Sequence, residues 1–388
     1  MQLTPRHFLL QFAHVAQQDL FPHVAAAVGP LSPDLELLTS VLALLPLNRL
    51  LSARRAHTGR PPKDRAALAT AFVAKAILNL TTTRALIDRL RVDTAFRTLC
   101  GWRTVAAVPA ECRFSRAFAE FAETQLPQQL HTAVIELTQR DRLVGHIARD
   151  STAIAARERF AEAVAKRRSR KKKAKRPKHE FSRAKSAERG TRIQRQRHQK
   201  LETMLADLPT QCDIGVKTNS QGHEHYWRGY KLHLDVADGQ IPISAVLTSA
   251  STHDSQVAIP LMTLTSQKVV HLYELMDSAY DADAIAAHSR ELNHVPIIAP
   301  HPRRGTKKPS QLPKVLPPTP TPELTWAERD RFKERTMSER VNARLKDEFG
   351  AKHLRVRGAA KVMAHLMFGI LALTVDQWLR LTNTANKT

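Results

Sequence analysis

Three acidic residues of this strongly basic chain sit where carboxylates could hold metal ions: Asp150 in Arg149-Asp150-Ser151-Thr152, Asp277 in Leu275-Met276-Asp277-Ser278-Ala279-Tyr280, and Glu339. The first two each close a short apolar run of β character, so each carboxylate is expected at a strand end. Hard divalent cations take oxygen ligands, and Mg2+ sites that act on phosphates combine a few carboxylates with the phosphate oxygens. Two such ions can cleave a phosphodiester and pass its end to a new strand, because one activates the attacking oxygen while the other stabilises the leaving one. The expected metal ligands are therefore Asp150, Asp277 and Glu339, holding two Mg2+ ions for which Mn2+ can substitute.

Glu339 has informative neighbours. Phe332, Arg335, Glu339 and Lys346 recur at helical spacing and share one face, so a carboxylate would stand between two cations able to hold phosphate. Met337, Val341, Leu345 and Phe349 form the opposite, apolar stripe, which should fix the helix on a sheet. Plainer readings compete. Arg335 and Glu339 also fit a surface ion pair one turn apart, and an Asp at a strand end is often only a turn former. Asp254, ahead of an apolar helix, reads as an N-cap. Trp227 could stack on a displaced base or simply pack beside its strand. His223, His225 and His233 lack a fourth ligand for zinc.

Two kinds of element must position these groups. Residues 4–140 carry apolar residues every three or four positions, at 8–21, 35–51, 66–80 and 114–137, which predicts an all-α N-terminal domain over residues 1–140. Gly59-Arg60-Pro61-Pro62 should stop one helix, Asp64 cap the next, and Thr81-Thr82-Thr83 cap a short basic helix after it. These helices suit dimerisation or, through the basic segments at 84–91 and 113–116, DNA ends. From residue 143 the texture turns to short β runs at 143–150, 230–236, 241–248, 269–276 and 295–299. Asp238-Gly239 marks a hairpin between the second and third. Helical runs at 255–264 and 281–292 precede the fourth and fifth strands. This order predicts a ribonuclease-H-like α/β catalytic domain over 141–388, in which the first and fourth strands are neighbours and bring Asp150 beside Asp277.

A formal charge of +24 over 388 residues points to a polyanionic partner, nucleic acid before an anionic membrane. Much of it lies in residues 166–200, with seventeen Lys or Arg against two Glu. This run reads as an arm along phosphates within a basic insert, 157–210, after the first strand. Arg168, Lys171, Lys172 and Lys173 are its candidate DNA contacts, beside Arg335, Lys346, Phe332, Trp227 and Lys231 elsewhere. Residues 303–321 are rich in Pro and Lys and read as a linker. Three cysteines without a CxxC pair exclude a disulfide framework or a cysteine zinc site. The most apolar stretch, 362–373, is too short to span a bilayer and reads as a core helix; no export is expected, and the location expected is cytoplasmic and nucleoid-associated.

Phe332-x2-Arg335-x3-Glu339-x6-Lys346 resembles the signature Tyr-x2-Arg-x3-Glu-x6-Lys of the bacterial insertion-sequence DDE transposases of the four and five groups. Phe332 replaces the family's Tyr, keeping the ring and losing the hydroxyl. Gly215-Val216-Lys217-Thr218, Trp227-Arg228-Gly229-Tyr230-Lys231-Leu232, Thr252-His253-Asp254 and Asp277-Ser278-Ala279-Tyr280-Asp281 are similar too, as is the helical segment from Gly59 to Gly101 to the family's N-terminal domain. The resemblance implies cleavage at the ends of an insertion sequence and transfer of the freed 3′-hydroxyls to target DNA. It further implies that Asp150 bridges both ions, that Asp277 and Glu339 each hold mainly one, that Arg335 and Lys346 grip phosphates, and that a homodimer works on paired ends. A catalytically silent DNA-binding derivative and a nuclease without strand transfer are the alternatives.

Overall fold

The computed structural model describes residues 31–51, 64–158, 191–218, 223–300 and 324–385. The helix expected at 8–21, the stop at Gly59-Arg60-Pro61-Pro62, Arg168, Lys171, Lys172 and Lys173 of the basic run, and the linker at 303–321 lie outside them. The chain divides into two compact units, Met1–Gln139 with Ala343–Thr388, and Arg140–Asn342.

The first unit is helical. Helices Pro33–Leu44, Arg65–Ile77, Glu111–Glu123 and Leu126–Gln139 pack against the long helix Ala359–Ala385. Their ends follow local chemistry. Asp64 accepts the backbone N–H groups of Ala66 and Ala67, Thr82 caps helix Thr83–Val92, and Asp93 caps helix Thr94–Leu99. The apolar pattern at 114–137 divides where Gln125 takes a positive φ, so two helices stand where one periodic run was read. Phe72 centres the core, meeting Phe118 at 4.9 Å and Phe368 at 5.9 Å between ring centroids.

Ala359–Ala385 contains the stretch expected as a core helix. It is longer than the apolar stretch at 362–373, and it packs with the N-terminal helices rather than extending the sheet domain. By length and composition it could cross a membrane, but most of it is buried against the other helices, as a core helix is.

The second unit is built on a mixed sheet of six strands: β1 Val144–Ala155, β2 Asp213–Thr218, β3 Glu224–Ala237, β4 Ile241–Ser249, β5 His271–Met276 and β6 Val295–Ile298. Pairing runs β4-β3-β1-β5-β6, with β2 also on β3. The β1–β3, β3–β4 and β2–β3 pairs are antiparallel, while β1–β5 and β5–β6 are parallel. The expected hairpin joins β3 to β4, with Gly239 and Gln240 at positive φ. Helix Ser255–Ser266 packs on β3 and β4, and helix Asp283–Glu291 on β6.

Within the expected insert 157–210, residues 191–210 are described. Thr191 and Gln194 form a capping box that starts helix Arg192–Gln196, and helix Leu201–Asp207 follows. Met204, Leu201 and Ile193 join Ile259, Met262 and Tyr280 in one apolar cluster, so residues 191–210 belong to the domain's core. Their arginines are engaged within the fold, Arg192 with Asp207 and Arg197 with Glu291.

Strand β2 was not foreseen. Gly229 marks where β3 leaves β1 and takes up β2: it pairs with Ala155 on one strand and Asp213 on the other. Its φ is +151°, and an added Cβ would stand 2.0 Å from the Ile154 carbonyl oxygen. Gly229→Ala should therefore cost about 2 kcal/mol or more, read as a lowered urea midpoint at unchanged m-value.

Candidate active site

The β1–β5 register aligns Ala148 with Leu275, so two residues further on Asp150 stands level with Asp277 just beyond the end of β5. Asp277 opens a 3-10 turn, Ser278–Tyr280, and its carboxylate accepts the Ala279 N–H at 2.9 Å, which fixes its rotamer. Asp150 accepts from Asn342 Nδ2 at 3.1 Å through one oxygen, and its other oxygen lies 3.9 Å from Arg335 Nη1.

Glu339 reaches the same place along the chain Trp326–Phe332, Lys333–Arg335 and Thr336–Asp347, helical throughout but tightened to a 3-10 turn in the middle. That turn lies on β1 and β5. A Thr325–Glu328 capping box starts the run, and Arg331 lies 4.2 Å over the Tyr273 ring of β5. The apolar stripe is buried as expected, but it divides. Met337 and Val341 serve the sheet unit, whereas Leu345 and Phe349 close on Gly369 of the last helix, where an added Cβ would meet the Phe349 carbonyl at 2.5 Å. Arg335 Nη2 donates to Glu339 Oε1 at 2.6 Å while its Nη1 faces Asp150. One guanidinium thus faces both the Asp pair and Glu339, and the surface ion pair weighed above is real. The pair bridges from the surface inward, because Glu339 is 55% exposed whereas Arg335 and Asp150 are each 20% exposed.

The electrostatics favour a cation. Burial, and then the charge of Asp277, push Asp150 up to about 6 against the Ser151 N–H, Arg335 and Lys217. Burial likewise raises Asp277, with Asp254 adding to it and the Ala279 N–H, Arg335 and Lys217 opposing. Two neighbouring carboxylates reluctant to ionise together are hard oxygen donors short of positive charge, which is what a divalent ion supplies. Asp150 and Asp277 fit a divalent cation on these grounds, and Glu339, held by Arg335, offers a further carboxylate beside them.

Asp254 is not the expected cap. It makes no capping bond to helix Ser255–Ser266; instead it accepts from Lys231 Nζ at 2.9 Å, with His233 Nδ1 3.9 Å away. Burial alone would raise its pKa, yet His233 and Lys231 hold it low. Lys231 is thereby turned inward, its ammonium shared between Asp254 and the Thr252 carbonyl. Trp227 is also turned inward: it donates to the Tyr230 carbonyl at 3.0 Å and lies so close to Gly215 that an added Cβ there would stand 2.3 Å from its ring. Both were expected at a DNA surface; the packing reading of Trp227 describes its place. His233 is buried against Thr248 while His223 and His225 are exposed, so the three do not assemble a zinc site. Phe332 lies with its ring 5.8 Å from the Arg335 guanidinium. Lys346 is on the last turn of its helix, half-buried, in the part of the chain that belongs to the helical unit.

Asn342 was missed, although its position three residues after Glu339 puts it on the same helical face. So was the network under Asp150. Arg149, fully buried, donates to Asp235 at 2.7 Å and to Glu274 at 3.4 Å, joining β1, β3 and β5; Thr265 also donates to Asp235, at 2.6 Å. His271, Glu274 and His294 lie within 4.8 Å of one another and could in principle hold a metal. Two features disfavour it. The His271 and His294 rings lie against each other, centroids 3.6 Å apart and tilted by 31°, a ring contact that accounts for their closeness without a metal. Arg149 also already serves Glu274, and with Asp235 the buried cluster needs one positive charge, not two, to be neutral.

Asp150, expected at a strand end, lies inside the longer β1, while Asp277 follows the end of β5; faced by an Arg- and Glu-bearing helix, the two form a candidate acidic site suited to divalent cations. The family model described as Transposase DDE domain matches residues 145–375, and that described as Transposase domain (DUF772) matches residues 27–120. The chain belongs to the insertion-sequence DDE transposases. No curated protein and no solved structure gives a significant match.

Proposed function

We propose that this transposase cleaves DNA at the ends of an insertion sequence and transfers the resulting 3′-hydroxyl ends to target DNA, with Asp150, Asp277 and Glu339 as its catalytic, metal-holding residues. The observation that carries this is the side-by-side arrangement of Asp150 and Asp277 with Arg335 reaching from one of them to Glu339. The strand order supports a ribonuclease-H-like catalytic domain, since β4-β3-β1-β5-β6 sets the first strand between its antiparallel partner and the strand that ends at Asp277. Two Mg2+ ions bound to these carboxylates would activate the attacking oxygen and stabilise the leaving one, and Mn2+ would serve as well.

The protein's own groups do the remaining work. The backbone N–H of Ala279 holds Asp277, and Asn342 holds Asp150, so both carboxylates are oriented before substrate arrives. Arg335, once it releases Glu339, has a planar fork matched to a non-bridging phosphate oxygen pair. Lys346 and Phe332, carried on the same helical run, extend that contact along the backbone. The basic run with Arg168, Lys171, Lys172 and Lys173 follows the phosphates outside the active site, and a homodimer brings two DNA ends together at the nucleoid. The signature around Glu339 favours the four and five groups of insertion sequences.

Glu339→Gln provides the test. Strand cleavage should vanish while affinity for the DNA flanking the coding sequence stays within about twofold, since a single charge contributes little to a multi-contact interface. Unchanged cleavage would remove Glu339 from the mechanism. Joining of pre-cut ends in Mg2+ separates a transposase from a plain nuclease, which yields no joined product.

A further inference from the structure

The helical run that carries Arg335 and Glu339 begins without an apolar anchor. No residue of Trp326–Phe332 or of the 3-10 turn Lys333–Arg335 is buried, and Trp326 is 86% exposed. Thr325 bonds with Glu328 and Lys333 with Asp330, so these polar groups close on the run itself. The first buried residue is Met337, followed by Val341, and Asn342 then reaches Asp150. Arg335 thus stands ahead of the part of its helix that the core holds, and what fixes it from the upstream side is polar and aromatic.

The β1–β5 register sets His146 beside Tyr273, upstream of the level of Asp150 and Asp277. Side chains at alternate strand positions share a face, so His146 lies on the face of β1 that presents Asp150. The Asp238 carboxylate, in the turn between β3 and β4, accepts the His146 backbone N–H at 2.9 Å and lies 3.0 Å from its Nδ1. The His146 ring, held in this way, stacks with Tyr273, centroids 5.4 Å and planes 25° apart, and limits rotation of the phenol. The Arg331 guanidinium lies 4.2 Å from the centre of the Tyr273 ring, where the ring quadrupole attracts a cation. Arg331 and Arg335 are four residues apart, as are Arg335 and Glu339, so the place where Arg331 rests governs where the next two side chains point.

We propose that Tyr273 and Arg331 are positioning residues for strand cleavage: the cation–π contact between them seats the helical run on the sheet so that Arg335 and Glu339 meet Asp150 and Asp277. The inference rests on the reading of Glu339 as a metal-holding residue and deepens it. Neither side chain touches the reacting atoms; both act through the run that bears Glu339.

The test compares full-length wild type with Arg331→Met, Tyr273→Leu, their double variant, Tyr273→Phe and Glu339→Gln, on a duplex of the DNA flanking the coding sequence. Arg331→Met and Tyr273→Leu should each slow single-turnover cleavage at saturating DNA by about tenfold or more, since a misplacement of about 1 Å remote from the chemistry can cost about a hundredfold. Both should also raise the Mg2+ concentration needed to lift the thermal midpoint of the DNA-free protein. The double variant should be no slower than the slower single one, the mark of a shared contact. Tyr273→Phe, which keeps the ring face, should retain most of the rate, and the salt slope of DNA binding in EDTA should be the same throughout. A wild-type rate and Mg2+ response in either single variant, multiplied losses in the double one, or a Tyr273→Phe as slow as Tyr273→Leu overturns the role of the contact. A salt slope lower by about one in Arg331→Met overturns it too, and makes Arg331 a phosphate contact instead. Arg331 is only half-buried, so Arg331→Met decides the matter if Tyr273→Leu fails to fold. Cleavage by Glu339→Gln overturns the reading on which the inference rests.

Discussion

Asp150→Asn should lose strand cleavage by more than about a thousandfold and, at pH 7, unfold at higher urea than wild type. Both effects have one cause. The Asp150 carboxyl is raised to about 6 by burial beside Asp277. An acid whose pKa is higher folded than unfolded favours the native state while protonated. That contribution is fully present below the unfolded value near 4 and is lost as pH rises through about 6. At pH 7 wild type has forgone up to about 3 kcal/mol that an amide, which never ionises, retains. The Asn342 donor has an acceptor in either side chain, so the geometry survives. The stability gap between variant and wild type should close below pH 4, and it should narrow at pH 7 in Mg2+, which stabilises only the form that binds it. Equal or lower stability of Asp150→Asn at pH 7 would mean that burial beside Asp277 does not penalise the ionised Asp150 carboxyl.

Arg149→Met should be the most destabilising single change in the sheet unit, at about 3–5 kcal/mol, because it leaves Asp235 and Glu274 buried without their cation. Burial opposes ionisation of Glu274, but Arg149 first, then His271 and Ser289, hold its carboxyl well below the usual carboxylate range. Removing one of the stranded charges should recover part of the loss, so Arg149→Met with Glu274→Gln should be more stable than Arg149→Met alone. Equilibrium urea unfolding reads both. Additive losses in the double variant would show that Arg149 and Glu274 do not depend on each other.

Much of this architecture is legible in local chemistry. Caps at Asp64 and Thr82, the Asp238-Gly239 hairpin and the strand that closes on Asp277 are short-range features, decided by a few neighbouring residues. The parallel pairing of β1 with β5, which sets Asp150 level with Asp277, was expected from the element order, in which the first and fourth strands read from the sequence are neighbours. Facing and partnership are not local properties. Composition marks Lys231 and Trp227 as polar-tipped and aromatic but cannot say that β3 turns both inward. Residues 191–200 look like more of a basic arm until Thr191 and Gln194 are recognised as a capping box. β2 was obscured by Gly215, which Trp227 requires, and by Ile214 and Val216, which face outward. The last helix shows its apolar face in the sequence but not which helices cover it.

Replacing Mg2+ by Fe2+ and generating hydroxyl radicals at the bound ion with ascorbate and peroxide cuts the polypeptide where the metal sits. Cuts should cluster around residues 150, 277 and 339, and Asp150→Asn and Asp277→Asn should suppress all three together. Cuts confined to the region of His271 and His294, or none near 150 and 339, would contradict a metal held by these three carboxylates.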